Sequence, residues 1–142
     1  MFIERKFWNF SAQFAAMVKK IVSTKNAPAP IGPYSQAVKV NGLLFISGQI
    51  PINPSSSKLV NTSVEAEARQ VMENLKAILE AEGLTFLHVV KTTIFLSDMS
   101  LFSQVNEVYQ SYFEKEFPAR ETVAVKGLPK NVNVEISMIA AE

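Results

Sequence analysis

The sequence predicts an α+β fold, a single sheet with two helices on one face, in the order β-β-α-β-α-β-β. Three features carry that expectation. Apolar residues recur at helical spacing over 63–82 and 101–116, five short stretches read as strands, and an Asn-Gly pair joins two of them. With 142 residues, 48% hydrophobic and 19% charged, the chain suits one domain with a sizeable core.

The elements follow in order. Pro28, Pro30, Gly32 and Pro33 fix an irregular approach that ends at Tyr34. Strands over 36–40 and 43–47 flank Asn41-Gly42, which favours the positive φ values of a type I′ hairpin turn. Gly48 and Pro51 end the second strand, and a loop rich in Pro and Ser runs to about Asn61. Over 63–82, Val64, Ala68, Val71, Leu75, Ile78 and Leu79 form one apolar helical stripe. Thr62-Ser63-Val64-Glu65 offers a capping start and Gly83 a stop. Residues 89–96 are β-branched and read as a central strand. The second helix spans about 101–116, with Ser100 as its cap, a buried side of Phe102, Val105, Tyr109, Tyr112 and Phe113, and Pro118 as its end. Strands over 121–126 and 132–140 are linked by Gly127-Leu128-Pro129-Lys130. In the last strand Val132, Val134, Ile136, Met138 and Ala140 alternate with Asn133, Glu135, Ser137 and Ile139. The second set is mixed rather than polar, so the sheet face away from the helices is expected to meet a partner.

Composition narrows the chemistry. The net charge of +1 gives no general electrostatic case for nucleic acid or anionic membrane. There is no cysteine, which removes disulfides, thiolate catalysis and Cys-ligated metals. His88 is the one histidine, and it cannot form a histidine metal cluster. The five glycines are scattered singly, so no phosphate loop exists, and no run approaches the roughly 20 apolar residues of a membrane span. Charge is uneven. Residues 1–30 hold Arg5, Lys6, Lys19, Lys20 and Lys25 against Glu4, a net +4 that leaves −3 on the rest of the +1 chain. Residues 1–16 form a basic, aromatic, acid-poor leader that points to mitochondrial import, ahead of a domain over 17–142. Met17 offers an internal start, compatible with a second, cytoplasmic product.

Two residues stand out chemically. Arg120 sits at a strand mouth in Phe117-Pro118-Ala119-Arg120, and Glu135 interrupts an alternating strand. A guanidinium grips a carboxylate with two parallel hydrogen bonds, and a carboxylate can orient or deprotonate water. Ser47-Gly48 pairs a hydroxyl with a position that lets a ligand approach the backbone. Taken singly, each has a plain structural role: a solvated charge, a turn glycine, a capping serine, a packing aromatic at Tyr34, a solvated helix residue at Asn106.

Several segments in register resemble the reactive intermediate deaminases, the Rid or YjgF family. They are Asn26-Ala27-Pro28-Ala29-Pro30-Ile31-Gly32-Pro33-Tyr34-Ser35-Gln36, Ser47-Gly48-Gln49-Ile50-Pro51, Asn74 to Leu79, Val90 to Met99, Phe117-Pro118-Ala119-Arg120, Gly127-Leu128-Pro129-Lys130 and Val134-Glu135-Ile136. Together they span about residues 20–142, leaving the first 16 outside, as in mitochondrial members.

That resemblance implies a chorismate-mutase-like homotrimer, three sheets facing inward as a barrel with sites in the clefts between subunits. It implies hydrolysis of reactive 2-imino or enamine acids, such as 2-iminobutyrate, to 2-keto acids and ammonia. It implies no metal and no cofactor, and a functional link to the pyridoxal-phosphate dehydratases that release such intermediates. Carried over by position, Arg120 binds the substrate carboxylate, Glu135 positions the water, and Tyr34, Ser47, Gly48 and Asn106 line the pocket. Thr122 stands where many members have a cysteine. The proton for the departing nitrogen is left open among Glu135, Tyr34 and water. The alternative is a non-catalytic, ligand-binding or regulatory trimer, with a translation-inhibitor or chaperone-like role.

Overall fold

The structure is a computed structural model that describes residues 18–142; the leader over 1–16 and the start at Met17 lie outside the described residues. The strands are β1 (Lys20–Val22), β2 (Ala37–Val40), β3 (Leu43–Gln49), β4 (Val89–Leu96), β5 (Ala119–Ala124) and β6 (Val134–Ala141), with helices α1 (Val64–Glu80) and α2 (Phe102–Gln110). They form one six-stranded sheet in the order β1-β2-β3-β6-β4-β5. All neighbours are antiparallel except β4 and β5. The expected single sheet with two helices on one face is therefore observed.

Local chemistry accounts for most elements. Asn41 and Gly42 both have positive φ, 49° and 74°, and Val40 pairs directly with Leu43 across them. Ser63 caps α1, its side chain accepting from the Ala66 N–H at 3.1 Å. Beyond the helix, the Leu84 N–H reaches back to the Leu79 carbonyl at 3.0 Å around Gly83 at φ 71°.

Three readings are corrected. A sixth strand, β1, precedes the hairpin; at three residues it is too short to show periodicity. Its Lys20 is tied to Glu82 at 2.8 Å, and Lys39 on β2 shares the same carboxylate. The second helix stops at Gln110 rather than 116, because Ser111, Tyr112 and Phe113 turn with three-residue hydrogen bonds. Phe113 nevertheless stays buried, edge-on to Phe86 and tilted against Tyr109. Finally, Ser100 does not cap that helix. Asp98 accepts the Ser100 N–H at 2.7 Å and starts a short 3₁₀ turn, Met99–Leu101, that runs into α2.

The core lies between sheet and helices. Ala68, Val71, Met72, Leu75, Ile78 and Leu79 of α1 pack on Leu44, Ile46, Ile94, Leu96, Val134, Ile136, Met138 and Ala140. The alternate residues of β6, Glu135, Ser137 and Ile139, face the other way and are only half-buried. On that second face Phe45 is 40% exposed and Val123 44% exposed. Among the described residues no further element lies over that face.

Candidate functional site

The candidate site residues fall into two groups, each built by a different part of the sheet. The first lies where β3 meets β6. Ile46 pairs with Met138 and Gln49 with Ile136, so Ser47 and Gly48 together oppose a single residue and form a bulge. Gly48 has no side chain at the one place where none fits. A Cβ there would stand 2.0 Å from Glu135 Oε1 and 2.9 Å from its Cδ. The Glu135 carboxyl thus lies directly against bare backbone. It has no hydrogen bond or ion pair with any described residue, and burial pushes its pKa above the ordinary value.

The chain before β2 braces this corner. Gln36 is 2% exposed, and its amide accepts from the Thr24 N–H at 2.7 Å while donating to the carbonyls of Thr24, Ala27 and Pro28. The Gln36 carbonyl accepts the Ser47 N–H at 3.0 Å, and the Ser47 hydroxyl donates to the Ser35 carbonyl at 2.6 Å. Ser47 is therefore beside Gly48 as expected, with its proton committed to the backbone and its oxygen able only to accept. Tyr34 projects from the same loop, half-exposed, its hydroxyl oxygen accepting the Ile31 N–H at 3.3 Å.

The second group surrounds Arg120 on the edge strand β5. Arg120 pairs with Thr92, which is fully buried on the helix side, so the arginine also turns toward the helices. Its Nη1 donates to Asn106 Oδ1 on α2 at 2.7 Å. Its guanidinium carbon sits 5.0 Å from the Tyr109 ring centroid and 5.6 Å from that of Phe102. An open cleft of about 400 Å³ lies here, bounded by Asn106, Tyr109, Gln110, Phe117, Pro118 and Arg120. Arg120 forms no ion pair with a described residue, whereas its neighbour Glu121 bonds Lys91 and Thr93 on the opposite face.

One chain brings Ser47, Gly48 and Glu135 together, and Arg120 with Asn106, but not the two groups with each other. Glu135 pairs with Phe95 on β4, one residue out of phase with Thr92 and Ile94, so it points to the uncovered face. Arg120 points to the helix face. Sequence reasoning placed Phe102 and Tyr109 in the core and missed that they meet Arg120. The signal was present as spacing, since 102, 106 and 109 share one stripe of a helix. The role of Gly48 as space for Glu135 had no sequence signal. Thr122, two residues from Arg120 on the same face, has a buried hydroxyl without a hydrogen-bond partner. His88 has the loop role expected of it, its Nδ1 accepting the Thr85 N–H at 3.0 Å. No group of three His, Cys, Asp or Glu side chains among the described residues is arranged to hold a metal, and no described helix is long and apolar enough to cross a membrane.

Residues 24–142 match the family described as Endoribonuclease L-PSP. The chain belongs to the Rid/YjgF family. A Rid relative in Mus musculus, 2-iminobutanoate/2-iminopropanoate deaminase, is 48% identical over 128 residues, 90% of this chain and 95% of the mouse protein. The chloroplastic Reactive Intermediate Deaminase A of Arabidopsis thaliana is 46% identical over 134 residues, 94% of this chain and 72% of that protein. The crystal structure of the YjgF gene product of E. coli superposes with a TM-score of 0.83 at 45% identity, covering 87% of this chain and 99% of that one. The six-stranded sheet with its two helices is thus the Rid/YjgF architecture.

Proposed function

We propose that this protein hydrolyses 2-imino acids, with their enamine tautomers, to 2-keto acids and ammonia. The observation that carries the reading is a pair of poised charges without a counter-charge among the described residues: a guanidinium held open in a cleft and a half-buried carboxylate. The deaminase name of the mouse relative supports it.

The chemistry follows from these groups. Asn106 occupies one of the five N–H donors of Arg120 and leaves the others for a substrate carboxylate. Anchoring that carboxylate holds the imine carbon in one place and removes the entropic barrier to water attack. Glu135 accepts a proton as the water oxygen bonds to the imine carbon, and the C=N π pair moves onto nitrogen. The resulting carbinolamine takes that proton back on nitrogen, the C–N bond breaks as the hydroxyl gives its own proton to the Glu135 carboxylate, a C=O forms and ammonia leaves. A carboxyl with a raised pKa suits both halves, since it holds the proton from water and returns it to nitrogen. Tyr34, Ser47 and the Gly48 backbone would line the pocket.

Because Arg120 and Glu135 face opposite sides of one sheet, the working site needs a second copy of the chain. We assign a homotrimer in which the uncovered face packs on neighbours and each cleft draws one charge from each side. Pyridoxal-phosphate dehydratases, whose products are 2-imino acids, would supply the substrate. Ribonuclease chemistry would need an acid–base pair on a basic surface, whereas His88 is spent on a turn and the chain beyond residue 30 carries −3. Residues 1–16 would act as a leader to mitochondria for the domain over 17–142, with the Met17 start giving a cytoplasmic form.

The test couples a threonine dehydratase to keto-acid and ammonia release with and without the purified protein, while light scattering reports its mass. Acceleration by a trimer is expected. No acceleration over several imino acids would leave a ligand-binding protein, and a monomer at micromolar concentration would remove the shared site.

A further inference from the structure

Arg120 is a long side chain on an edge strand, and β5 is exposed along most of its length. An arginine there would ordinarily sample many rotamers, giving up about 2 kcal/mol of side-chain entropy when fixed. It is fixed by three residues of one helix. Phe102, Asn106 and Tyr109 stand four and three positions apart, so their side chains form one stripe along α2. The hydrogen bond to Asn106 sets one corner of the guanidinium, and the two rings engage its carbon at 5.6 and 5.0 Å. Both distances are within the roughly 6 Å over which a cation feels a ring quadrupole.

The second ring is itself tethered. The Tyr109 hydroxyl donates to Thr92 Oγ1 at 3.1 Å in the buried core, and Thr92 is the cross-strand partner of Arg120. Tyr109 also packs on Phe113 with centroids 4.8 Å apart. Backbone register, threonine, tyrosine and guanidinium therefore close a loop in which no member moves alone. No described acid neutralises the arginine, so what this loop orders is a cation with open donors.

We propose that Phe102 and Tyr109 are positioning residues for Arg120, an aromatic platform that presets the guanidinium and thereby sets the affinity of the cleft for a carboxylate. This rests on the reading of Arg120 as the carboxylate anchor. Neither ring is assigned contact with the reacting atoms. Their effect belongs on binding, which both ground state and transition state share, rather than on turnover.

The experiment has two independent readouts. The first is the Arg120 Nε–H resonance by NMR, assigned by its loss in Arg120→Ala. In the wild type it is expected to be displaced by ring currents and slow to exchange; in Phe102→Leu it should move toward the free-arginine position. The second is kinetic. Phe102→Leu should raise KM, and the Kd for 2-oxobutyrate, by about fivefold, with kcat within about twofold, and Phe102→Tyr should restore both. Tyr109→Phe keeps the ring but cuts the tether, so it should give a smaller rise that Thr92→Val does not add to. Phe102→Met serves if the leucine variant does not fold. A folded Phe102→Leu or Phe102→Met protein with an unchanged resonance and unchanged KM overturns the proposal. If the wild type turns over no imino acid, the enzyme reading fails by itself. The resonance, followed during a 2-oxobutyrate titration, then decides the platform alone: its displacement supports it and a free-arginine position overturns it.

Discussion

Replacing Gly48 with alanine puts one methyl group where the structure has none to spare. The new Cβ would lie 2.0 Å from Glu135 Oε1. A carbon–oxygen contact relaxes at about 3.3 Å, so the carboxylate has to retreat by about 1.3 Å. The atom in the way is the end of a flexible side chain, so the fold can yield. The penalty in stability should sit at the low end of the roughly 1–3 kcal/mol of overpacking, partly offset by the 0.5–1 kcal/mol that alanine gains over glycine in a strand. Activity should suffer more. A misplacement of about 1 Å at a reacting group lowers turnover by about a hundredfold. On the proposed mechanism Gly48→Ala should therefore lose about two decades in kcat on 2-iminobutyrate, while KM, assigned there to Arg120 on the other face, changes little. Thermal melting alongside steady-state kinetics separates the two effects. A folded Gly48→Ala enzyme with wild-type kcat, in a protein where Glu135→Gln is crippled, would show that the close approach of Glu135 to residue 48 does not position the base.

Three further outcomes are expected. Arg120→Ala should lose roughly 2–5 kcal/mol of transition-state stabilisation, read as kcat/KM, with the oligomer intact by light scattering; near-normal turnover would take Arg120 out of the site. Burial raises the Glu135 pKa above its ordinary 4.5, so the acid limb of the activity profile should lie above that of an ordinary carboxylate. The same shift makes the folded chain bind more protons than the unfolded one, so that contribution to stability is full below 4.5 and lost as pH rises through the folded value. Glu135→Gln should accordingly melt higher than wild type at neutral pH, with the gap closing in acid; an equal gap at all pH values would contradict it. Gln36→Leu strands the backbone groups of Thr24, Ala27 and Pro28 and should destabilise by about 2–4 kcal/mol in denaturant melts.

What the sequence determined by itself is what one element can express alone. Asn41-Gly42 dictates its own positive φ values, and Ser63 its own cap. The alternation over Val134–Ala141 sorts buried from half-buried residues without reference to any neighbour. The candidate residues were legible in the same way, as motifs in a fixed order that match one family. The tertiary structure decided everything that depends on pairing between distant segments. The three residues of β1 become a strand only because β2 and Glu82 receive them. The bulge at Ser47-Gly48 exists only in register with β6, and only there does a missing Cβ become room for Glu135. Whether Arg120 and Glu135 share a face depends on β5 joining β4 in parallel with Thr92 opposite Arg120, while β6 joins it antiparallel with Phe95 opposite Glu135. Side-chain direction alternates along each strand, and a register offset of one residue reverses it, so hydrogen bonds between strands, rather than residue types, put the two charges on opposite sides of the sheet.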